Sequence, residues 1–309
     1  MPKKTISGTF FGIHEPVRGN INRLFTAIHD RLNMTDVPEG ESRLLNVESG
    51  QTVIRIVDLK KGNYTNVARE VWYGIIEKLD TSELTITSNL LGERQENGAG
   101  EDEGPVTHTA FVYDPLTSCL FLHRKINGVN YEKLGVVIRN LLRKTQIASG
   151  KASSEYVVNV FPDVEKLARA RNANEIHQVA FTYKMPEVVP EVGDDENYII
   201  HDFMIGQRFE GQTVNVVVKG ASLNRNAVMN KIESLLQGNI EVSTAKVVAE
   251  HNDVEEVLDL LSDRFYDYEI VELIKGEKLT EERLLEAVKT IFANNIGILD
   301  VHFQKRNRG

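Results

Sequence analysis

The stretch Tyr156–Tyr183, YVVNVFPDVEKLARARNANEIHQVAFTY, decides how the rest of this chain is read. Tyr156 to Val160 have strand composition. Pro162 and Asp163 then suit a helix start, because proline fits the first helical turn and an acid there meets the positive end of the helix dipole. The spacing predicts a short helix over Val164–Arg171 and a returning strand over Gln178–Tyr183. A second unit of the same kind follows. Thr213–Lys219 (TVNVVVK) reads as a strand. Ser222 would cap a helix carrying Leu223, Ala227, Val228, Ile232, Leu235 and Leu236 on one face, and Val242–Ala249 would close the unit. Two such units in tandem predict an α+β fold with a ferredoxin-like β-α-β-β-α-β domain over 152–250. Asn197–Ile205 (NYIIHDFMI) stands outside that pattern as a further strand or helix.

Gly150 and its small polar neighbours mark a boundary, with an N-terminal α+β domain over 1–148. Its predicted elements are a strand at Thr9–His14 and a helix at Asn20–Leu32 with Ile21, Leu24, Phe25 and Ile28 on one face. Strands at 52–59, 71–76 and 83–87 follow, and their pairing order stays open. His108–Val112 and Cys119–Arg124 flank the turn composition YDPLTS and make an antiparallel hairpin. An amphipathic helix at 129–145 ends the domain. Beyond it, 251–309 reads as a helix-strand-helix extension. It comprises a helix over 253–261, a strand over 268–274 and a helix capped by Thr280, with Ile298–Phe303 as a final strand.

The charge of −9 is concentrated. Glu93–Gly104 (ERQENGAGEDEG) holds five acids and one arginine, and Pro186–Glu196 holds five acids and no base. Both read as solvated loops or connectors, so the low overall charge describes two segments rather than every surface. There is no apolar run long enough to span a bilayer and no signal-peptide stretch after Lys3 and Lys4, so a soluble cytoplasmic protein without direct membrane insertion is expected. The single cysteine, Cys119, excludes an internal disulfide framework, and its strand-like surroundings read as core.

The residues that could carry chemistry stand at the wrong spacing for it. No two of the eight histidines stand at zinc-ligand spacing. His123-Arg124 and His201-Asp202 are adjacent pairs, which on a strand point to opposite faces. Pro162-Asp163-Val-Glu165-Lys166 has the letters of a PD-(D/E)xK nuclease, but that site draws its carboxylates from separate strands, and here they fall on one helix start. There is no phosphate-binding glycine loop and no nucleophile elbow. No catalytic residue, metal site or cofactor is assigned.

Basic side chains remain. Arg139 and Arg143 stand at i, i+4 on the 129–145 helix, with Lys144 and Lys151 beyond and Arg124 and Lys125 before it. Lys166, Arg169 and Arg171 decorate the next short helix. Aligned, these nine would displace counterions from several phosphates and bind nucleic acid, DNA in particular, with little base readout.

From Thr107 onward the order of elements is distinctive. The hairpin THTAFVYDPLTSCLFLHRKING leads into YEKLGVVIRNLL. The α+β middle follows, then the close DRFYDYEIVELIKGEKLTEERLLEAVKTIFANN. This layout resembles the phage-lambda exclusion protein RexA and related prophage or anti-phage defence proteins. The resemblance implies a non-enzymatic, oligomeric DNA-binding protein, a homodimer in the simplest case, acting in phage exclusion or abortive infection with a separate membrane or effector protein. Two other readings stay open: an assembly module that meets a protein partner through the acidic loops, and a nuclease with a scattered site.

Overall fold

The computed structural model describes residues 2–36, 42–64, 67–82, 86–88, 94–96, 103–162, 164–185, 206, 208–237, 242–252, 254–261 and 265–303. These form six helices and fourteen strands in an α+β arrangement. Two compact units result, and neither is continuous in sequence. One takes residues 1–8, 17–149 and 267–307, the other 9–16, 150–266 and 308–309.

The first unit contains the first half of β1 (Lys3–His14), α1 (Asn20–Leu32), β2 (Val47–Ser49), β3 (Thr52–Tyr64), β4 (Val67–Asp80), β5 (Ile86–Ser88), β6 (Arg94–Glu96), β7 (Val106–Asp114), β8 (Cys119–His123) and α2 (Tyr131–Lys144). Its main sheet runs β14-β1-β8-β7-β4-β3-β2, where β14 is Tyr266–Glu272, and the pairs from β2 to β8 are antiparallel. Successive strand residues face opposite ways, and each face of this sheet meets its own helix. On one side Trp72 packs near Phe25 of α1, whose ring also lies 5.6 Å from Phe111 and 5.3 Å from Tyr113. The Trp72 indole N–H donates to Asn22 Oδ1 at 2.7 Å, so the polar handle of the buried ring is satisfied. On the other side Tyr73 lies under Lys289, 4.6 Å from its ring centre.

Asp114 closes the β7–β8 turn by accepting the Leu116 N–H and the Thr117 hydroxyl. Asn130 caps α2 by accepting the Lys133 N–H at 2.9 Å, and Leu134, Val137, Ile138, Leu141 and Leu142 form its buried stripe. Cys119 is buried in β8.

The second unit contains the second half of β1, α3 (Lys151–Ser154), β9 (Val157–Val160), α4 (Val164–Arg171), β10 (Glu175–Lys184), β11 (Thr213–Lys219), α5 (Arg225–Gln237), β12 (Val242–His251) and β13 (Val254–Asp259). An antiparallel sheet runs β11-β10-β12-β13. Val179, Phe181 and Tyr183 of β10, Ala245, Val247 and Ala249 of β12 and Leu258 of β13 are among its buried residues, and Leu167, Ala170, Ile232 and Leu235 bring α4 and α5 into the core. Phe10, Phe161 and Phe265 form a separate aromatic knot, with Phe265 4.8 Å from Phe10 and 5.6 Å from Phe161 between ring centres.

Several expectations change. The ferredoxin-like order over 152–250 is not confirmed: β9 pairs with β1 from Phe11↔Val160 to His14↔Val157, and β10 stands between β11 and β12. Residues 254–259, expected to be helical, are strand β13, because Asn252 takes a left-handed φ of 51° and folds the chain back on β12. The cap of α5 is Asn224, whose Oδ1 accepts the Ala227 N–H, rather than Ser222. Residues 298–303 continue the last helix, α6 (Glu281–Phe303), since Leu299 extends the buried row of Val288, Ile291, Phe292, Asn295 and Ile296. The C-terminal stretch is therefore strand, strand, helix. Within the acidic segment 93–104, Arg94–Glu96 is a strand paired with Ile86–Ser88. The acidic connector 186–197 and the stretch 197–205 lie outside the described residues.

Candidate nucleic-acid interface

The predicted basic residues of the first unit lie on α2 and in the turn before it. Arg124 and Lys125 leave β8 exposed, while the Arg124 N–H donates to Ser7 O at 2.8 Å and fixes the backbone there. The Gly128 N–H bonds Lys125 O, with Asn127 at φ 62°, and turns the chain into α2. Because the apolar stripe of α2 is buried, Glu132, Lys133, Val136, Arg143 and Lys144 project outward, with Arg139 half-buried beside them. Arg139 and Arg143 lie about 6 Å apart along the helix axis. Arg143 and Lys144 occupy the last turn, where the helix dipole favours cations. Lys144 also donates to Asn46 O at 2.6 Å.

The other four predicted residues belong to the second unit. Lys151 is exposed at the start of α3. Lys166 is half-buried with its Nζ 3.4 Å from Asp259 O. Arg169 is ion-paired with Glu256. Arg171 grips Glu233 Oε1 through Nε at 3.1 Å and Nη2 at 2.5 Å. The arginines of α4 therefore meet carboxylates already, and their charge is internally balanced. Residues 115–154 nevertheless hold seven cations and a single acid, Glu132, in a chain whose net charge is −9.

Three other polar clusters were not legible in the sequence. Arg55, Glu77 and His108 face one another across β3, β4 and β7, in register. Arg55 donates to Glu77 Oε1, His108 Nε2 lies 3.1 Å from Glu77 Oε2, and His108 Nδ1 lies 2.7 Å from Glu281. Each ring nitrogen meets its own carboxylate, so these groups bridge one another and do not point at a common centre. Among the described residues, no set of three or more His, Cys, Asp or Glu side chains converges to hold a metal. Arg69, Asp114 and Asp300 form a buried ion cluster.

His177 sits at a bulge of β10, between Glu250 Oε2 at 3.2 Å and Ala221 O at 2.6 Å. Both contacts, the carboxylate first, raise its pKa above the ordinary value. His123 is the opposite case. It is buried, its neighbour Arg124 is exposed, and burial followed by the charges of Lys125 and Lys4 pushes its pKa down to about 4. His201-Asp202 lies outside the described residues. Of the nuclease-like letters, Asp163 does too, while Glu165 and Lys166 occupy the first turn of α4.

No helix among the described residues is long and apolar enough to cross a membrane. No curated protein matches the chain. A family model does match, over residues 101–307, and the chain belongs to that family: DUF6731, a family of unknown function.

Proposed function

We propose that this DUF6731 member binds nucleic acid through backbone phosphates, using Arg124, Lys125, Arg139, Arg143 and Lys144 of the first unit. One observation carries the reading: the seven-to-one excess of cations over acids in residues 115–154, set within an acidic chain. Six of those seven cations belong to the first unit, four of them on α2 and two in the turn before it, and such an excess attracts a polyanion and releases its counterions on contact. The basic residues of α4 contribute less, because Glu256 and Glu233 already hold Arg169 and Arg171. Lys151 and Lys166 are secondary candidates. The contact is to phosphate and not to base edges, so binding is tolerant of sequence, with duplex DNA as the first ligand to test.

The chain acts in this reading as a binding protein rather than an enzyme, in a role of the phage-exclusion or abortive-infection kind that its resemblance to RexA suggests. The test is a fluorescence-anisotropy titration of labelled duplex DNA with the wild-type chain and an Arg139→Gln/Arg143→Gln variant. At least a tenfold weaker affinity is expected for the variant. Equal affinities would remove α2 from the interface.

A further inference from the structure

We propose that β11 is a pairing edge, through which two copies of this chain join their four-stranded sheets into one antiparallel sheet. Edge strands present unpaired backbone groups, and proteins ordinarily blunt them with charges, prolines, bulges or short length. Among the described strands, the other edges of the two main sheets carry such devices. β13 holds Glu255, Glu256 and Asp259. β14 holds Asp267, Glu269 and Glu272. β2 has only three residues, and β9, which pairs with β1 alone, has four and is buried throughout. β11 has only one of them, the charge of Lys219 at its last residue: TVNVVVK contains no proline and no acid, and its pairing with β10 runs from Thr213 to Lys219 without a register shift. Val217 and Val218, whose side chains leave opposite faces, are 48% and 46% exposed.

The backbone orientation follows from two hydrogen bonds that bracket the strand. Met185 donates to Gln212 O at 2.9 Å, and Gly220 donates to His177 O at 3.0 Å. Hydrogen-bonded positions alternate along an antiparallel pair, so Val214, Val216 and Val218 bond toward β10. Thr213, Asn215, Val217 and Lys219 direct their N–H and C=O groups to the free edge. A two-fold axis at Val216 pairs all seven residues with those of a second copy. Asn215 then lies opposite Val217 of the other copy, and Val214 opposite Val218. Lys219 lies opposite Thr213, so no like charges meet. This self-complementarity is what a second copy requires and what argues for it as the occupant.

The experiment measures the molar mass of the full chain by light scattering on size-exclusion chromatography. Wild type is expected at twice the 34.8 kDa chain mass. Val217→Pro, which deletes an outward N–H and no bond to β10, is expected at the single-chain mass with an unchanged far-ultraviolet circular dichroism spectrum. In parallel, Val216→Cys is expected to form a disulfide-linked dimer under mild oxidation, while wild type, whose only cysteine is buried, forms none. A monomeric wild type overturns the proposal. So does a folded Val217→Pro dimer. If Val217→Pro does not fold, the absence of the Val216→Cys cross-link overturns it.

Discussion

Arg69 of β4 donates from Nη1 to Asp300 Oδ1 of α6 at 2.6 Å, and its Nη2 is paired with Asp114 at the end of β7. Arg69 is 6% exposed and Asp114 wholly buried, so one cation ties the last helix to the centre of the first sheet. Burial opposes its charge, but the hydrogen bonds to Asp114 and Asp300 outweigh that and raise its pKa. Removing one partner of a buried pair leaves an uncompensated charge. Arg69→Ala is expected to cost about 3–5 kcal/mol in urea unfolding. Asp300→Ala should cost about 1 kcal/mol, since Asp300 is partly exposed and Arg69 keeps Asp114.

His123 should make the protein acid-sensitive. Its folded pKa of about 4 lies below the ordinary 6.5, so the folded state holds it neutral. The unfolded chain binds the proton first, so stability falls as pH drops from 6.5 towards 4. The loss between pH 7 and pH 4 is about 3 kcal/mol at 1.36 kcal/mol per pKa unit. In parallel unfolding curves, His123→Leu should lose less stability over that interval than wild type, the difference being this contribution.

His177 should act in the other direction. Its pKa is raised by Glu250 and then by the Ala221 carbonyl, so the folded state favours the charged ring. Its stabilising contribution is complete below 6.5 and is lost as pH rises through the raised value. A ring-proton NMR titration should place its midpoint above 6.5, and Glu250→Gln should lower that midpoint. A wild-type midpoint at or below 6.5 would show that the carboxylate does not hold the proton.

Gly74 has no room for a side chain. A Cβ there would stand 2.1 Å from the Asp58 carbonyl oxygen, where β3 is irregular between Ile56 and Asp58. Gly74→Ala is therefore expected to destabilise the protein by about 2 kcal/mol or more in urea unfolding.

How much of this was legible depended on whether a feature is local. The helices at Asn20–Leu32 and Val164–Arg171 emerge with the expected bounds, because burial at i, i+3 and i+4 and the start signals lie within one short stretch. Residues 254–261 misled because Val254, Val257, Leu258 and Leu261 have helical spacing, and only the reversal at Asn252 reveals a hairpin. Ile298–Phe303 has the apolar content of a strand, while the buried row it continues begins fourteen residues earlier, at Leu284. Partners distant in sequence were out of reach. Nothing in VVNV says that β9 leaves β10 for β1, and the row Arg55–Glu77–His108 exists only once two strand registers are fixed. At the basic face the residue types were legible. That Glu256 and Glu233 would take up Arg169 and Arg171 was not.

Duplex-DNA affinity must depend on salt if a phosphate backbone binds the basic residues of α2. If four of its cations each neutralise one phosphate, log K should fall with log salt at a slope of about −3.6, roughly a 100-fold loss of duplex-DNA affinity between 50 and 200 mM salt. Replacing Arg139 and Arg143 with glutamine should flatten the slope by about two. Affinity that ignores salt, a slope unchanged in that variant, or no binding at 50 mM salt would show that α2 does not hold a phosphate backbone.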